Sequence, residues 1–243
     1  MDEEFTLKLV PYLTTLKIYH KHQVHGLDRL PKKGPLIIAS NHSLATYDML
    51  LLMQEVYHHS GRFPRSLVDR LFYKVPKLGP IMERLGCVIG TANNARALLE
   101  NGATVYIAPG GMQESLRPSK DRYQIRWNKR KGFAKLAIET GTPVILAACP
   151  KADDLYDVYE NKLTKWVYKN FRMPVFMAKG FGLTPIPKPI KLRHFLSKPI
   201  YPPKKSNNAN ELEKQVNSFH AQLIQVMEKN MNHAIQYRET PLL

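Results

Sequence analysis

Three apolar runs, PLIIAS (35–40), ATVYIAP (103–109) and PVILAAC (143–149), admit almost no charge and no regular polar alternation. A strand with one wet face alternates, so runs like these belong to strands covered on both sides, and they are too short for helices. Helical stretches separate them. YDMLLLMQEVYHH covers 47–59, Ala92–Glu100 is closed by Asn101-Gly102, and Lys131–Glu139 is stopped by Gly141. Buried strands alternating with helices predict an α/β fold, a largely parallel central sheet with helices on both faces.

Further strands are expected in KIYHKHQVHGL (17–27), CVIG (87–90), PVFMAKGF (174–181) and IKLRHFLSKPI (190–200), with a long helix over 209–235. Pro185, Pro187 and Pro189 place the late strands at an edge or in loops. In the apolar stretch 5–18, Pro11 is expected to interrupt any helix. The chain reads as one domain over 1–243. Its parts are an N-terminal segment at 1–19 suited to membrane contact, a core at 20–205 and a C-terminal helical segment at 206–243.

The net charge is +16, and its distribution carries the information. Residues 161–210 hold eleven Lys or Arg and no Asp or Glu; residues 117–135 hold eight, against Asp121 alone. Such blocks suit anionic headgroups, the phosphates of coenzyme A, or nucleic acid. No nucleic-acid module accompanies them, and charge alone gives only salt-sensitive, nonspecific affinity, so a nucleic-acid partner is not expected. Cys87 and Cys149 sit in apolar surroundings and read as reduced core residues, with no CxxC or basic neighbour to activate a thiolate. His20, His22 and His25 lack an obvious fourth ligand, and no metal or cofactor is expected. No apolar run reaches the roughly 18–20 residues of a spanning helix, and the opening Met-Asp-Glu-Glu does not resemble a secretory signal.

Two segments carry candidate chemistry. In PLIIASNHSLATYDMLLL, Asn41 and His42 follow a buried strand, where α/β active sites lie, and Asp48 comes six residues later. Six residues of regular helix would turn the two side chains apart, so His42 and Asp48 meet only across an irregular turn at 43–46. If they meet, Asp48 can accept the Nδ1 proton of His42 and leave Nε2 as a base; otherwise Asp48 simply favours the first turn of the next helix. In ATVYIAPGGMQES, Gly110 and Gly111 either let the backbone approach an oxyanion or form a plain tight turn, with Glu114 in reach.

Together these segments resemble the glycerolipid and lysophospholipid acyltransferase superfamily. The shared features are SNH with a following Asp, GCVIGTANNARALLENG, a strand ending in Pro-Gly-Gly, KGFAKLAIETGTPVIL and SKPIYP. They span roughly residues 20 to 205, and NNARALLENG with PGGMQESL is most similar to the diacylglycerol-acyltransferase-like branch. The resemblance implies an acyl group moved from acyl-CoA or acyl carrier protein to a lipid hydroxyl. His42 would be the base and Asp48 its support, at the mouth of an apolar tunnel. Gly110 and Gly111 would shape the acceptor or oxyanion site, and Pro143 would lie near the acyl chain. Asn41 and Glu114 are the neighbouring polar groups expected at the substrate. The commoner spacing has four residues between His and Asp, whereas five stand here, and the two arginines usual for an acceptor phosphate are missing. A neutral lipid alcohol fits that loss, unless Arg117 or Arg122 substitutes.

Lys162, Lys165, Lys169 and Arg172 recur at helical spacing beside a face containing Trp166, a pattern suited to an interfacial helix on an anionic membrane surface. The expectation is a peripheral membrane protein at the cytoplasmic face. The competing reading is a lipid-binding protein that keeps the fold without the chemistry.

Overall fold

The structure is a computed structural model that describes residues 3–44, 46–159, 177–182 and 184–237. Seven strands form one sheet: β1 (Gln23–His25), β2 (Leu36–Ser40), β3 (Arg65–Val68), β4 (Val88–Ile89), β5 (Thr104–Ile107), β6 (Val144–Ala148) and, late in the chain, β9 (Arg193–Leu196). Their order is β1-β9-β6-β2-β5-β3-β4. Every neighbouring pair is parallel except β6 with β9. Two further strands, β7 (Asp157–Tyr159) and β8 (Met177–Lys179), form a separate antiparallel ribbon.

The three apolar runs lie side by side as β6, β2 and β5, which explains why their sequences do not alternate. Ile37, Ala39, Val105, Ile107, Val144 and Leu146 face one way. They meet α5 (Ala92–Glu100), α7 (Gly132–Thr140) and α8 (Ala209–Gln236) through Leu99, Ala134, Leu223 and Met227. Leu36, Ile38, Tyr106 and Ile145 face the other way, onto Leu52, Met53 and Val56 of α2 (Tyr47–Ser60). The period of two in a strand therefore divides one apolar sheet between two cores. Thr91 Oγ accepts the Asn94 N–H at the start of α5, and Asn208 Oδ1 accepts the N–H groups of Asn210 and Glu211 at the start of α8. Gly141 closes α7 with φ +65°, a conformation that L side chains rarely adopt.

Three expectations are corrected. Pro11 does not stop α1, which runs Glu3–Tyr19. A proline removes one helical hydrogen bond, and here Leu13 and Leu16 pack on the cluster around Leu51 and Leu155 while Lys17 pairs with Glu55 at 2.7 Å. The strand expected over 17–27 shrinks to Gln23–His25, because α1 consumes its first three residues. The late strand β9 is interior, between β1 and β6; the prolines lie in the loop before it. Strand β3 and the short helices α3 (Leu71–Lys74), α4 (Leu78–Arg84) and α6 (Gly111–Ser115) complete the core region.

Leu146 is fully buried in the centre of the sheet. Leu146→Ala is expected to lower unfolding free energy by about 2–5 kcal/mol in urea denaturation; a loss below about 1 kcal/mol would contradict the two-sided core.

Candidate active site

Strands β2, β5 and β6 are parallel neighbours, so the loops leaving their carboxyl ends converge. From β2 come Asn41, His42 and Ser43; from β5, Gly110 to Arg117; from β6, Cys149 to Asp153. Asn41 settles the exit of β2. Its Nδ2 donates to the Cys149 carbonyl at 3.0 Å, and its Oδ1 accepts the Cys149 N–H at 2.8 Å. The side chain acts as one more rung between β2 and β6. Asn41 is buried and both ends of its amide are engaged.

His42 stands just beyond this rung and is partly exposed. The irregular turn that the sequence required is present, with Thr46 at φ +56°. It does not bring the imidazole onto Asp48. His42 Nδ1 lies 3.0 Å from the carbonyl oxygen of Ser43. A carbonyl can only accept, so Nδ1 carries the proton and Nε2 keeps its lone pair. Asp48 instead accepts the Ser43 hydroxyl at 2.8 Å. The expected direct pair is therefore replaced by a bridge through Ser43, whose carbonyl holds the imidazole and whose hydroxyl is held by the carboxylate. Ser43 was not singled out from the sequence; its place directly after the histidine was the available signal.

Electrostatics set the protonation states. Burial lowers the His42 pKa to about 4; its bond to Ser43 works against that, and Arg117 and Arg130 add to it. The imidazole is neutral near pH 7. Burial likewise pushes the Asp48 carboxyl up to about 6, opposed by Ser43. Burial raises the thiol pKa at both cysteines, to about 11 for Cys87 and well above its usual value for Cys149, so neither is an activated nucleophile.

The Gly-Gly turn has a definite task. A Cβ at Gly110 would run into the Glu114 side chain, which folds back over that position. Gly111 has φ +51°, and its N–H donates to the Ala108 carbonyl at 3.0 Å. That N–H is thus not presented to an oxyanion. Glu114 is fully buried, accepting the Arg126 N–H at 3.1 Å and the Trp127 indole N–H at 3.3 Å. Arg117 is equally engaged. It grips Asp153 through Nε at 3.0 Å and Nη2 at 2.6 Å, pairs with Glu114 at 3.3 Å, and donates to the carbonyls of Gln124 at 2.7 Å and His42 at 3.4 Å. The polar atoms of Glu114 and Arg117 are thus taken up by partners within the protein. Arg122 pairs with Asp157 at 2.7 Å. Among the described residues, exposed Arg130 is a cation that approaches the site, its guanidinium lying against Gly111; the basic run 129–131 was its sequence signal.

A cavity lined by Leu44, Ser115, Arg117, Asp153, Tyr156 and Val158 holds about 10 Å³, room for one water. The acyl tunnel expected beside His42 is not formed by those residues. Lys162, Lys165, Trp166, Lys169 and Arg172 lie outside the described residues; the flanking strands β7 and β8 pair with each other. Among the described residues, no helix is long and apolar enough to cross a membrane.

A mostly parallel sheet with His42 and the Pro-Gly-Gly turn on adjacent strand ends has the architecture of the lipid acyltransferase fold. The solved 1-acyl-sn-glycerophosphate (LPA) acyltransferase PlsC from Thermotoga maritima shares it, with a TM-score of 0.58 over 98% of this chain and 85% of that one, at 18% identity. The chain belongs to the Acyltransferase family, whose sequence profile matches residues 21–149. Among its relatives are proteins named "DGAT1/2-independent enzyme synthesizing storage lipids". The Bos taurus protein is 31% identical over 77% of this chain and 54% of its own length. The Mus musculus protein is 32% identical over 84% of this chain and 60% of its own. The chain spans a little over half the length of these relatives.

Arg117→Met would leave the Asp153 and Glu114 carboxylates buried without their guanidinium. It is expected to cost about 3–5 kcal/mol of stability in urea denaturation. A loss under about 1 kcal/mol would show that the clamp is not structural.

Proposed function

We propose that the chain moves a fatty acyl group from a thioester donor, acyl-CoA or acyl carrier protein, to a hydroxyl of a glycerolipid or other lipid alcohol at a membrane surface. The observation that carries this reading is the contact of His42 Nδ1 with the Ser43 carbonyl, which sets the tautomer. A neutral imidazole with Nδ1–H fixed on Ser43 leaves Nε2 as a proton acceptor on the partly exposed side of the strand end.

In the reaction, His42 Nε2 takes the acceptor's hydroxyl proton as that oxygen attacks the thioester carbonyl. The tetrahedral intermediate collapses, the C–S bond breaks, and the leaving thiolate recovers the proton from the imidazolium. No acyl-enzyme is needed, in keeping with two inert cysteines. The developing imidazolium strengthens the Nδ1–H bond to Ser43, and Asp48 holds Ser43 in place. Arg130 is the group suited to an anionic part of the donor or acceptor. A neutral acceptor remains the better fit, because Arg117 and Arg122 are committed to carboxylates.

Membrane attachment draws support from exposed apolar side chains, Tyr12 and Ile18 on α1 and Phe181 and Ile186 in the loop that follows β8. The Tyr19 hydroxyl donates to the Pro187 carbonyl at 2.8 Å, tying the end of α1 to that loop. The basic stretch 162–172 lies in sequence between β7 and β8 and would add headgroup contacts. The cytoplasmic face is proposed on the same charge.

His42→Ala is expected to lower acyl transfer by about a hundred- to ten-thousandfold with the melting temperature unchanged. Near-normal turnover would defeat the mechanism, and wild-type protein that binds liposomes without transferring any acyl group would favour the non-catalytic lipid-binding reading. Asp48, with its pKa raised to about 6, protonates as pH falls through that value, whereas His42 stays neutral down to about 4. Activity should therefore rise through an apparent pKa near that of Asp48 and hold level above it; an acid limb near 4 would remove Asp48 from the account.

A further inference from the structure

The two oxygens of the Asp48 carboxylate meet different surroundings. Oδ1 takes the Ser43 hydroxyl, while Oδ2 faces Nε2 of His194 across 3.8 Å, slightly beyond a hydrogen bond. His194 sits in β9 and is fully buried. It reaches this place because β9 is interior, paired with β1 on one side and β6 on the other. Its Nδ1 lies 3.0 Å from Nε2 of His22, another buried histidine just ahead of β1. Neither His194 Nε2 nor His22 Nδ1 has a hydrogen-bond partner.

Two tautomer arrangements satisfy the bond between the rings. If His194 Nδ1–H donates, His22 is left with a buried N–H lacking an acceptor, and a bare lone pair of His194 faces a carboxylate. If His22 Nε2–H donates, the orphan at His22 is only a lone pair, and His194 Nε2–H points at Asp48. An orphaned buried donor is rarer than an under-used acceptor, and two acceptors face to face repel. The second arrangement prevails.

We infer that His194, backed by His22, is a positioning residue for the acyl-transfer site, its Nε2–H drawing the Asp48 carboxylate into line and holding it ionised for Ser43. The inference rests on the acyl-transfer reading above and adds to it a group that no motif marks. The groups around Asp48 come from several elements: Ser43 from its own loop, His194 from β9, Cys149 from the end of β6, Tyr106 from β5, Asp153 beyond β6, and Tyr47 beside it on α2. Burial raises the Asp48 pKa, and Asp153 raises it further. Tyr106 is occupied with the Ser40 hydroxyl. Besides Ser43 and the N–H groups of Asp48 and Met49, His194 is the side-chain donor aimed at the carboxylate among the described residues. Burial keeps His194 well below its usual pKa, so it offers a neutral dipole rather than a charge. The ligating atoms of Asp48, Cys149 and His194 also lie within 4.8 Å of one another, the reach of a metal ion, and the test must tell a donor from a ligand.

His194→Leu removes the N–H; His194→Gln returns an amide N–H at the same reach; His194→Asn carries one that falls short. With wild-type protein and acyl-CoA as donor, His194→Leu is expected to lose about ten- to a hundredfold in kcat with KM unchanged. Its acid limb should move up by about one pH unit, since the charged form of Asp48 has lost the N–H dipole that faced it across 3.8 Å. His194→Gln should recover both. A folded His194→Leu protein with wild-type kcat and an unmoved acid limb overturns the inference, as does one equivalent of zinc in the wild-type protein that this variant loses. Should His194→Leu fail to fold, the Gln and Asn variants decide: a raised limb in Asn alone supports the inference, and equal limbs overturn it. His42→Ala in the same assay separates the two readings. Activity there defeats the base itself, whereas an inactive His42→Ala beside an unaffected His194→Leu defeats only the role of His194.

Discussion

The site depends on the pairing of β2 on both sides at once. Ile38 lies opposite Tyr106 of β5 and Ile145 of β6, so the end of β2 is fixed laterally by two neighbours and vertically by two apolar cores. Asn41 extends that constraint one step past the last backbone pair by offering an amide to Cys149. A histidine placed next in the chain inherits a position set by the whole sheet, and its side chain is partly exposed. This is how a rigid scaffold delivers a loop residue with the accuracy that proton transfer needs.

Charge inside the molecule follows from the same demand. Glu114, Arg117 and Asp153 are buried together, each with its partners, where an isolated member would be costly to hold. They tie the loops after β5 and β6 to the carbonyl of His42, at 3.4 Å from Arg117. Gly110 belongs to this cluster, since without a bare backbone there the Glu114 carboxylate could not fold back. Several residues that look reactive in the sequence are in the structure bound to one another around the end of β2.

The parallel core was legible because β2, β5 and β6 are buried on both faces and therefore lack alternation. The helices at 92–100 and 132–140 were legible through the Asn101-Gly102 and Gly141 stops that follow them, and those at 47–60 and 209–236 were expected within a residue of their bounds. Strand β3 was not, since RSLV is short and half polar, and α1 was misjudged because tertiary packing of Leu13 and Leu16 outweighs the one bond that Pro11 removes. Within the site, His42 and Asp48 stood out by residue type, but their relation did not. Spacing cannot say that a serine's two oxygens divide the work between an imidazole and a carboxylate. Nor can it say that His194, some 150 residues downstream of Asp48, lies 3.8 Å from it, because that contact is made by the sheet order. Arg117 looked like a substrate cation for the same reason: its acidic partner Asp153 is remote in sequence and near in space.

The proposed chemistry requires a neutral imidazole at position 42 with its proton on Nδ1 and its lone pair on Nε2. Nitrogen-15 spectroscopy of ring-labelled histidine, assigned with a His42→Gln variant and followed from pH 4 to 8, reads both quantities in the intact protein. A protonated Nδ1 and an unprotonated Nε2 are expected at neutral pH, with charging delayed until pH approaches about 4. A proton found on Nε2, or an imidazolium already formed near pH 6.5, would contradict this.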